Sequence, residues 1–220
     1  MTCDKDWDSL NYWTTGEWDV VQERLDDLDK KKRAYCPLRK NLFAALDATA
    51  LSDTKVILLG QDPYPDREYA TGLAFSIPKT CEKFPPTLQM IFKEYENDLH
   101  LPTPSSGALD KWTEQGVLLW NVFPTCEEGH SLSHMWDEWA DLTREIVSTA
   151  GKEGCVICAL GSVAREFVKH VDPKSKVIET SHPSPRGNIN SKTPFLGSRL
   201  FSRVNAHLCE LKKPIIDWRL

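Results

Sequence analysis

The chain has 220 residues, of which 40% are hydrophobic and 27% charged, and its formal net charge at pH 7 is −5. This length and composition suit one folded domain with a core of its own, which excludes disordered and fibrous proteins. No stretch approaches the roughly 20 apolar residues of a membrane span, and the acidic, polar first residues predict no secretory signal.

Hydrophobic periodicity predicts helices and strands in alternation after a short lead-in. Residues 1–15 are expected to form a flexible or loosely packed lead-in, and residues 16–220 a single domain. Apolar residues at helical spacing predict helices over 18–32, 40–49, 87–99, 105–115, 136–150, 162–171 and 199–210. Short unbroken apolar runs predict buried strands over 55–59, 117–120, 155–160 and 176–179. The order of these elements predicts a three-layer α/β/α domain with a short central four-stranded parallel sheet.

The stretch from Lys55 to Ser76 is the most informative part of the chain. An apolar run ends at Gly60 and is followed by the polar turn Gln61-Asp62-Pro63-Tyr64-Pro65, which two prolines stiffen. Open α/β sheets bind ligands at the carboxyl ends of their strands, so Asp62 and Tyr64 lie where chemistry is expected. Taken by itself, the turn favours a surface loop whose aspartate caps the next helix, because an aspartate turn after a strand is common.

Each predicted strand is followed by a polar side chain: Asp62, Asn121, Ser162 and His182. The carboxyl ends of parallel strands share one edge of the sheet, so we expect these groups to converge on one pocket. Such a pocket would combine a carboxylate, an imidazole and an amide with aromatic rings, and this set of groups is suited to binding a planar heterocycle. An Asn amide offers a donor and an acceptor side by side, matching the edge of a nucleobase.

Several motifs occur in a fixed order: GQDPY, GLAFS, PPTL, LLWN, LGS, HPSP and the closing FLGSRLFSRVN. From about residue 42 to its end, the chain resembles the family-1 uracil-DNA glycosylases. The resemblance implies base excision repair, in which uracil is flipped out of DNA and its N-glycosidic bond is hydrolysed, leaving an abasic site. It implies no cofactor and no metal ion, and a monomer that resides inside the cell, wherever DNA is. The implied partners are single- or double-stranded DNA containing uracil and a protein inhibitor of such glycosylases, with no membrane.

The resemblance also implies roles for individual residues. Asp62 would position the attacking water and stabilise positive charge on the sugar, while a neutral His182 would donate a hydrogen bond to uracil O2. Asn121 would read the N3/O4 edge and reject cytosine. The remaining uracil-binding residues would be Tyr64, which excludes thymine by occupying the space of its methyl group, Phe75, which stacks on the base, and the Gln61 backbone.

DNA contacts are implied for three short segments that present hydroxyls, prolines and backbone N–H groups. Residues 151–220 also hold about twelve Lys and Arg against about six Asp and Glu, so a basic face is compatible with an acidic chain. The implied DNA-binding residues are Pro85, Pro86, Thr87, Gly161, Ser162, Ser184, Pro185 and Arg186.

The chain departs from the family pattern at positions that are expected to contact or open duplex DNA. Pro65 replaces the usual His after GQDPY, and Arg186-Gly187 replaces the Leu-Ser whose leucine wedges into the duplex. The loop over 188–194 is also longer than usual. Two alternatives therefore stay open: a glycosylase with altered strand preference, and a non-catalytic DNA-binding or replication-accessory module that keeps the fold.

Cysteine and histidine spacing offers weaker candidates. The seven cysteines lack framework spacing, which is typical of a reducing compartment. Cys155 and Cys158 have C-x-x-C spacing but lie in an apolar run, which favours buried core thiols over a redox or metal site. His130 and His134 are four residues apart near acidic residues, and we interpret them as polar residues at the start of a helix rather than metal ligands.

Overall fold

The computed structural model describes residues 6–189 and 191–220, and its centre is a parallel sheet of four short strands. In spatial order these are β3, β2, β5 and β6, and every neighbouring pair is parallel. Strands β1 and β4 form a separate antiparallel pair. The strands are β1 (Tyr35–Cys36), β2 (Val56–Gly60), β3 (Val117–Asn121), β4 (Cys126–Glu127), β5 (Val156–Leu160) and β6 (Lys176–Thr180).

Helices cover both faces of this sheet, as they must, because every residue of β2, β3 and β5 is buried. The edge strand β6 is only partly buried. The predicted three-layer α/β/α fold with four parallel strands is confirmed. The helices are α1 (Glu17–Lys30), α2 (Ala44–Ala48), α3 (Pro86–Leu99), α4 (Asp110–Thr113), α5 (Asp137–Lys152), α6 (Ser162–Glu166), α7 (Pro185–Asn188) and α8 (Leu200–Glu210). Among the described residues, none of these helices is long and apolar enough to cross a bilayer.

The register of the strands sets the position of the polar residues that follow them. Gly60 at the end of β2 is paired with Asn121 at the end of β3, and Leu160 of β5 is paired with Thr180 of β6. The chain therefore leaves all four strands at the same edge of the sheet. The segments after these strands, which begin at Gln61, Val122, Gly161 and Ser181, start side by side.

Three predicted helices are shorter than their sequence pattern indicates. Of residues 105–115 only α4 is helical, because the preceding segment pairs with the chain after Phe75: Ile77 donates its backbone N–H to Gly107 and Leu109 donates its own to Ser76 Oγ. Of residues 162–171 only α6 is helical, and the chain continues in turns through His170. The pattern over 40–49 divides into a 3₁₀ turn at Arg39–Asn41 and α2.

The described part of the N-terminal lead-in, residues 6–15, contributes side chains to the core. Two 3₁₀ helices, Trp7–Ser9 and Asn11–Trp13, pack against the domain. Trp7 is completely buried, and its indole N–H donates a 2.8 Å hydrogen bond to the Thr49 carbonyl. The Glu145 carboxylate accepts from the backbone N–H groups of Asn11 and Tyr12. Burial of a whole tryptophan with its donor satisfied outweighs the polar composition of this segment. Residues 1–5 lie outside the described residues.

The two cysteines of the C-x-x-C spacing are both core residues. Cys155 and Cys158 are completely buried, and desolvation raises the pKa of both thiols, that of Cys155 to about 11. A thiol whose pKa is raised this far carries almost no thiolate at neutral pH. Neither cysteine therefore has the character of a reactive thiol.

Candidate active site

A cavity of about 120 Å³ lies where the chain leaves β2, at the carboxyl edge of the sheet. Its walls come from the turn after β2, from the start of α3, from the loop after β4 and from the segment after β6. The lining residues are Gln61, Asp62, Pro63, Tyr64, Pro65, Phe75, Thr87, Ser131 and His182. Six of these were assigned to the site from the sequence, and Asn121 lies directly beside them.

Gly60 brings Asn121 and Phe75 to this cavity. A β-carbon at position 60 would lie 2.4 Å from Asn121 Oδ1 and 3.0 Å from the Phe75 ring. These distances are below van der Waals contact, so the close approach requires glycine at the end of β2. Asn121 is 7% exposed, and within the described residues its amide makes no hydrogen bond. Its donor and acceptor are therefore available to a ligand.

Phe75 and Tyr64 hold each other in place. Phe75 has a positive φ of 66°, which is unusual for an aromatic residue, and its carbonyl accepts a 3.1 Å hydrogen bond from the Tyr64 hydroxyl. Desolvation by burial raises the pKa of Tyr64, so the phenol remains protonated and donates. The tyrosine is thereby fixed against the cavity as a rigid neutral wall.

Three donors orient the Asp62 carboxylate. The Ser131 hydroxyl lies 2.8 Å from Oδ2 and 3.0 Å from Oδ1, the Leu132 backbone N–H donates to Oδ2 at 2.5 Å, and the Gln61 side-chain amide donates to Oδ1 at 3.0 Å. Because the three donors reach both carboxylate oxygens from different directions, they hold the carboxylate in one orientation.

Ser131 and Leu132 were not predicted as site residues. They lie in the loop between β4 and α5, about 70 positions from Asp62 in the chain. The sequence of this loop, EEGHSLSH, contains no element end or motif that marks Ser131. Its position depends on how the loop folds back over the turn after β2, which only the tertiary structure determines.

His182 approaches the cavity from the segment after β6. Its ring centroid lies 6.5 Å from that of Phe75. Gly161, with φ of 107°, permits this placement because a β-carbon there would lie 3.1 Å from the His182 Cβ. Desolvation lowers the pKa of His182, and the opposing effect of Asp62 is smaller, so the ring is neutral at pH 7. In the described residues neither ring nitrogen makes a hydrogen bond, which leaves one N–H to donate.

The residues assigned to DNA binding lie around the cavity with different exposures. Thr87 lines it, Pro85 and Pro86 begin α3, and Gly161 contacts His182. Ser162 is exposed at the start of α6 and does not line the cavity. Of the four strand-end groups, Asp62 and His182 line the cavity and Asn121 lies beside it.

The segment after His182 is held in a defined turn. Ser184 caps α7 by accepting the Gly187 N–H at 3.1 Å, and its carbonyl accepts from the Asn188 amide at 2.8 Å. Asn188 Oδ1 also accepts from the Leu196 N–H at 2.8 Å, which ties both ends of the longer loop together. Pro185 and Arg186 are exposed, as is Ile189, at 68%.

The two histidines four residues apart face different surroundings. His134 is buried, its Nδ1 lies 2.9 Å from Thr125 Oγ1, and its ring stacks on Trp136 at 4.3 Å. Desolvation lowers its pKa to about 4. His130 is exposed, with its Nδ1 against the Glu128 carbonyl. In the part of the chain that the structure describes, no group of three or more His, Cys, Asp or Glu side chains is arranged to hold a metal ion.

A larger cavity, of about 550 Å³, lies between the end of α3 and the C-terminal segment. Its lining is mainly apolar, and its two charged residues, Asp217 and Arg219, are paired with each other at 2.5 Å. The smaller cavity combines a carboxylate, a neutral imidazole, a free amide and an aromatic face, and it is therefore the better candidate for catalysis.

Comparison with known proteins shows the family of the chain. The family model of the uracil DNA glycosylase superfamily matches residues 46–209. The uracil-DNA glycosylase of Campylobacter lari is 38% identical over 205 residues, covering 92% of this chain and 87% of that protein. The uracil-DNA glycosylase of Coxiella burnetii is also 38% identical over 205 residues, and the match covers 90% of this chain and 88% of that protein.

Solved structures give the same result. The mimivirus uracil-DNA glycosylase matches with a TM-score of 0.87 and 26% identity over 94% of this chain and 83% of its own. A single-residue variant of the mimivirus enzyme, crystallised in complex with UGI, matches with the same TM-score and identity over 94% of this chain and 84% of its own. With three quarters of its length matched by the family model and close relatives along nearly all of it, the chain belongs to the uracil DNA glycosylase superfamily.

Proposed function

We propose that this chain removes uracil from DNA by hydrolysing its N-glycosidic bond, with Asp62 and His182 as the catalytic residues. The observation that carries the proposal is that a carboxylate held by three donors and a neutral imidazole face one cavity, beside the unpaired amide of Asn121. An enclosed cavity with these groups accepts a base only after the nucleotide has left the stack.

The two catalytic groups act on opposite sides of the breaking bond. As the bond between sugar C1′ and uracil N1 lengthens, positive charge develops on the sugar and negative charge on the uracil oxygens. The Asp62 carboxylate stabilises the positive charge and accepts a hydrogen bond from the attacking water. His182 donates its N–H to uracil O2, where the negative charge accumulates. Because these charges are absent in the substrate, both interactions are stronger in the transition state.

Selectivity for uracil follows from the pocket walls. The Asn121 amide pairs with N3–H and O4 of uracil, whereas cytosine presents an unprotonated N3 and an amino group that leave this buried amide unpaired. Tyr64 occupies the space that the 5-methyl group of thymine would need, and its hydrogen bond to Phe75 keeps it there. Phe75 stacks on the base, and Gln61 contributes the backbone of the pocket.

The proposed partners follow from the same chemistry. Thr87, Ser162, Ser184 and their neighbouring prolines and glycine contact phosphates on either side of the flipped nucleotide. A protein inhibitor is a further proposed partner, supported by the mimivirus enzyme crystallised with UGI. We also propose that the protein acts as a monomer, without cofactor or metal, inside the cell where DNA is found.

One oligonucleotide carrying a single uracil tests the function. It is offered single-stranded, paired with G and paired with A, in the presence of EDTA, and abasic-site formation is measured for each. Release of uracil in EDTA, with none from the same oligonucleotide carrying thymine or cytosine, is the expected result. Tight binding of all three forms without base release would instead favour the DNA-binding accessory module, for which the altered residues Pro65 and Arg186 are the motivation.

The exposed Arg186 gives a prediction about strand preference. Replacing it by Leu restores an apolar wedge and is expected to change activity on duplex DNA severalfold more than activity on single strands, because only the duplex must be opened. The comparison is the ratio of kcat/KM on the two substrates for R186L and the unmodified chain. K192L, which removes a positive charge elsewhere in the same exposed loop, is the matched control and should lower both activities together. Equal effects of R186L on both substrates would contradict the wedge role.

A further inference from the structure

The loop from Glu127 to His134 places a hydroxyl on the catalytic carboxylate. Ser131 Oγ contacts both oxygens of Asp62, at 2.8 and 3.0 Å, and lies 3.4 Å from the amide nitrogen of Gln61. Ser131 is exposed at the cavity rim, so its hydroxyl is also reachable by water and by a bound sugar. A hydroxyl that donates to Asp62 retains lone pairs with which to accept from another donor.

The loop is built to hold this hydroxyl in position. Ser133 Oγ accepts the Glu127 N–H at 2.6 Å and donates to the His130 carbonyl at 2.7 Å, which closes the loop on itself. Leu132 adopts φ of 60°, an unfavourable conformation for a leucine, and its N–H is thereby aimed at Asp62. Buried His134 anchors the end of the loop through Thr125 and Trp136.

The other side of the same turn offers no comparable donor. Pro65 lines the cavity but has no N–H, and its side chain has no polar atom. Its carbonyl accepts the Gly129 N–H at 2.7 Å, so this residue serves to dock the loop onto the turn. Among the described cavity-lining residues, Ser131 is the only hydroxyl in hydrogen-bond contact with Asp62.

We infer that Ser131 is a positioning residue for the attacking water, an inference that rests on the proposed function. The water donates one hydrogen to Asp62 and the other to Ser131 Oγ, and these two bonds direct a water lone pair at sugar C1′. The new bond forms between the water oxygen and C1′ while the bond from C1′ to N1 of uracil breaks. The electron pair leaves with uracil, whose O2 is held by His182, and the water proton passes to Asp62 and then to solvent.

Ser131→Ala and Ser131→Thr test this assignment on single-stranded DNA containing uracil. S131A is expected to lower kcat about 10- to 100-fold with KM within about twofold, because water orientation matters in the chemical step and not in binding. S131T, which keeps the hydroxyl, should recover most of the lost kcat. Affinity for a substrate with a 2′-fluoro sugar, which resists cleavage, should be the same for all three proteins.

His130→Ala separates water positioning from a general change in the loop. It removes a ring contact to the Glu128 carbonyl but none to Asp62, and the His130 carbonyl that accepts from Ser133 is kept, so its loss of kcat should be at most a few-fold. The inference is overturned if S131A retains kcat within about twofold, if H130A is as slow as S131A, or if S131T is as slow as S131A. These failures leave uracil release by the unmodified chain intact, whereas absence of release from the unmodified chain would refute the proposed function itself.

Discussion

Asp62→Asn is expected to lower kcat for uracil release by about 10³-fold, equivalent to about 4 kcal/mol of transition-state stabilisation. The substitution keeps the shape of the side chain but removes the negative charge that faces the developing positive charge on the sugar. The fold should tolerate it: Asn Oδ1 can still accept the Leu132 N–H, and the new NH₂ group can donate to Ser131 Oγ, which is able to turn and accept. The Gln61 amide, which donates to the carboxylate, can rotate by 180° so that its oxygen accepts from the new NH₂ group.

Asp66→Asn is the matched control, because Asp66 lies in the same turn but uses its carboxylate to accept the Glu68 N–H, outside the cavity. Single-turnover rates of both variants on single-stranded DNA, with thermal unfolding as a check of folding, complete the measurement. D62N cleaving within tenfold of the unmodified chain would contradict the catalytic role of Asp62, and an equal loss in D66N would show that turn geometry, not charge, is responsible.

His182→Ala is expected to lower kcat by about 10²- to 10³-fold, since it removes the donor that meets the charge on uracil O2. His170→Ala, at an exposed position in the turn after α6, is the control for loss of an imidazole and should retain full activity. The measurement is again the single-turnover rate, with binding of the uncleavable substrate as a separate readout. A loss confined to binding would contradict a role in the transition state.

The pH dependence of the rate gives a second readout of His182. Burial lowers the pKa of this ring below its ordinary 6.5, so it is neutral at pH 7 and becomes charged only in more acidic solution. A protonated His182 would offset the negative charge of Asp62, which stabilises the positive charge that develops on the sugar. We therefore expect kcat to fall on acidification, with a midpoint below pH 6.5. H182A should lack this acidic limb. A midpoint at or above 6.5 in the unmodified chain would contradict the neutral, desolvated ring.

Acidification also lowers the stability of the fold, through buried His134. This effect must be distinguished from the fall of kcat that His182 causes. Its pKa is about 4 in the folded state against 6.5 in the unfolded chain, so the unfolded state binds more protons between these values. The contribution of neutral His134 to the free energy of unfolding is therefore fully present above pH 6.5 and decreases as the pH falls toward 4. Rates for the His182 profile should be measured at a temperature where the protein remains folded throughout.

Much of this site was predictable because its residues lie at the ends of strands. The buried apolar runs identify the strands, the parallel order brings their carboxyl ends together, and the motif residues Asp62, Asn121 and His182 follow directly. These inferences need only short stretches of sequence and one rule of sheet geometry.

Other features depended on contacts between distant parts of the chain. The first part of the helix expected over 105–115 is instead a non-helical segment that pairs with Ile77. The polar lead-in became part of the core because Trp7 is buried with its donor satisfied. In both cases the energy of tertiary packing and hydrogen bonding exceeds the weak local preference that periodicity measures.

By itself, the sequence determined the fold class, the family resemblance and the strand-end groups Asp62 and His182 that line the cavity with Asn121 beside them, because each is encoded in adjacent residues. Only the tertiary structure decided which further groups touch Asp62. Ser131 and Leu132 reach it from about 70 positions away, through a loop folded by Ser133 and anchored by buried His134. No local pattern encodes such a contact, because it exists only once the loop has packed against the turn after β2.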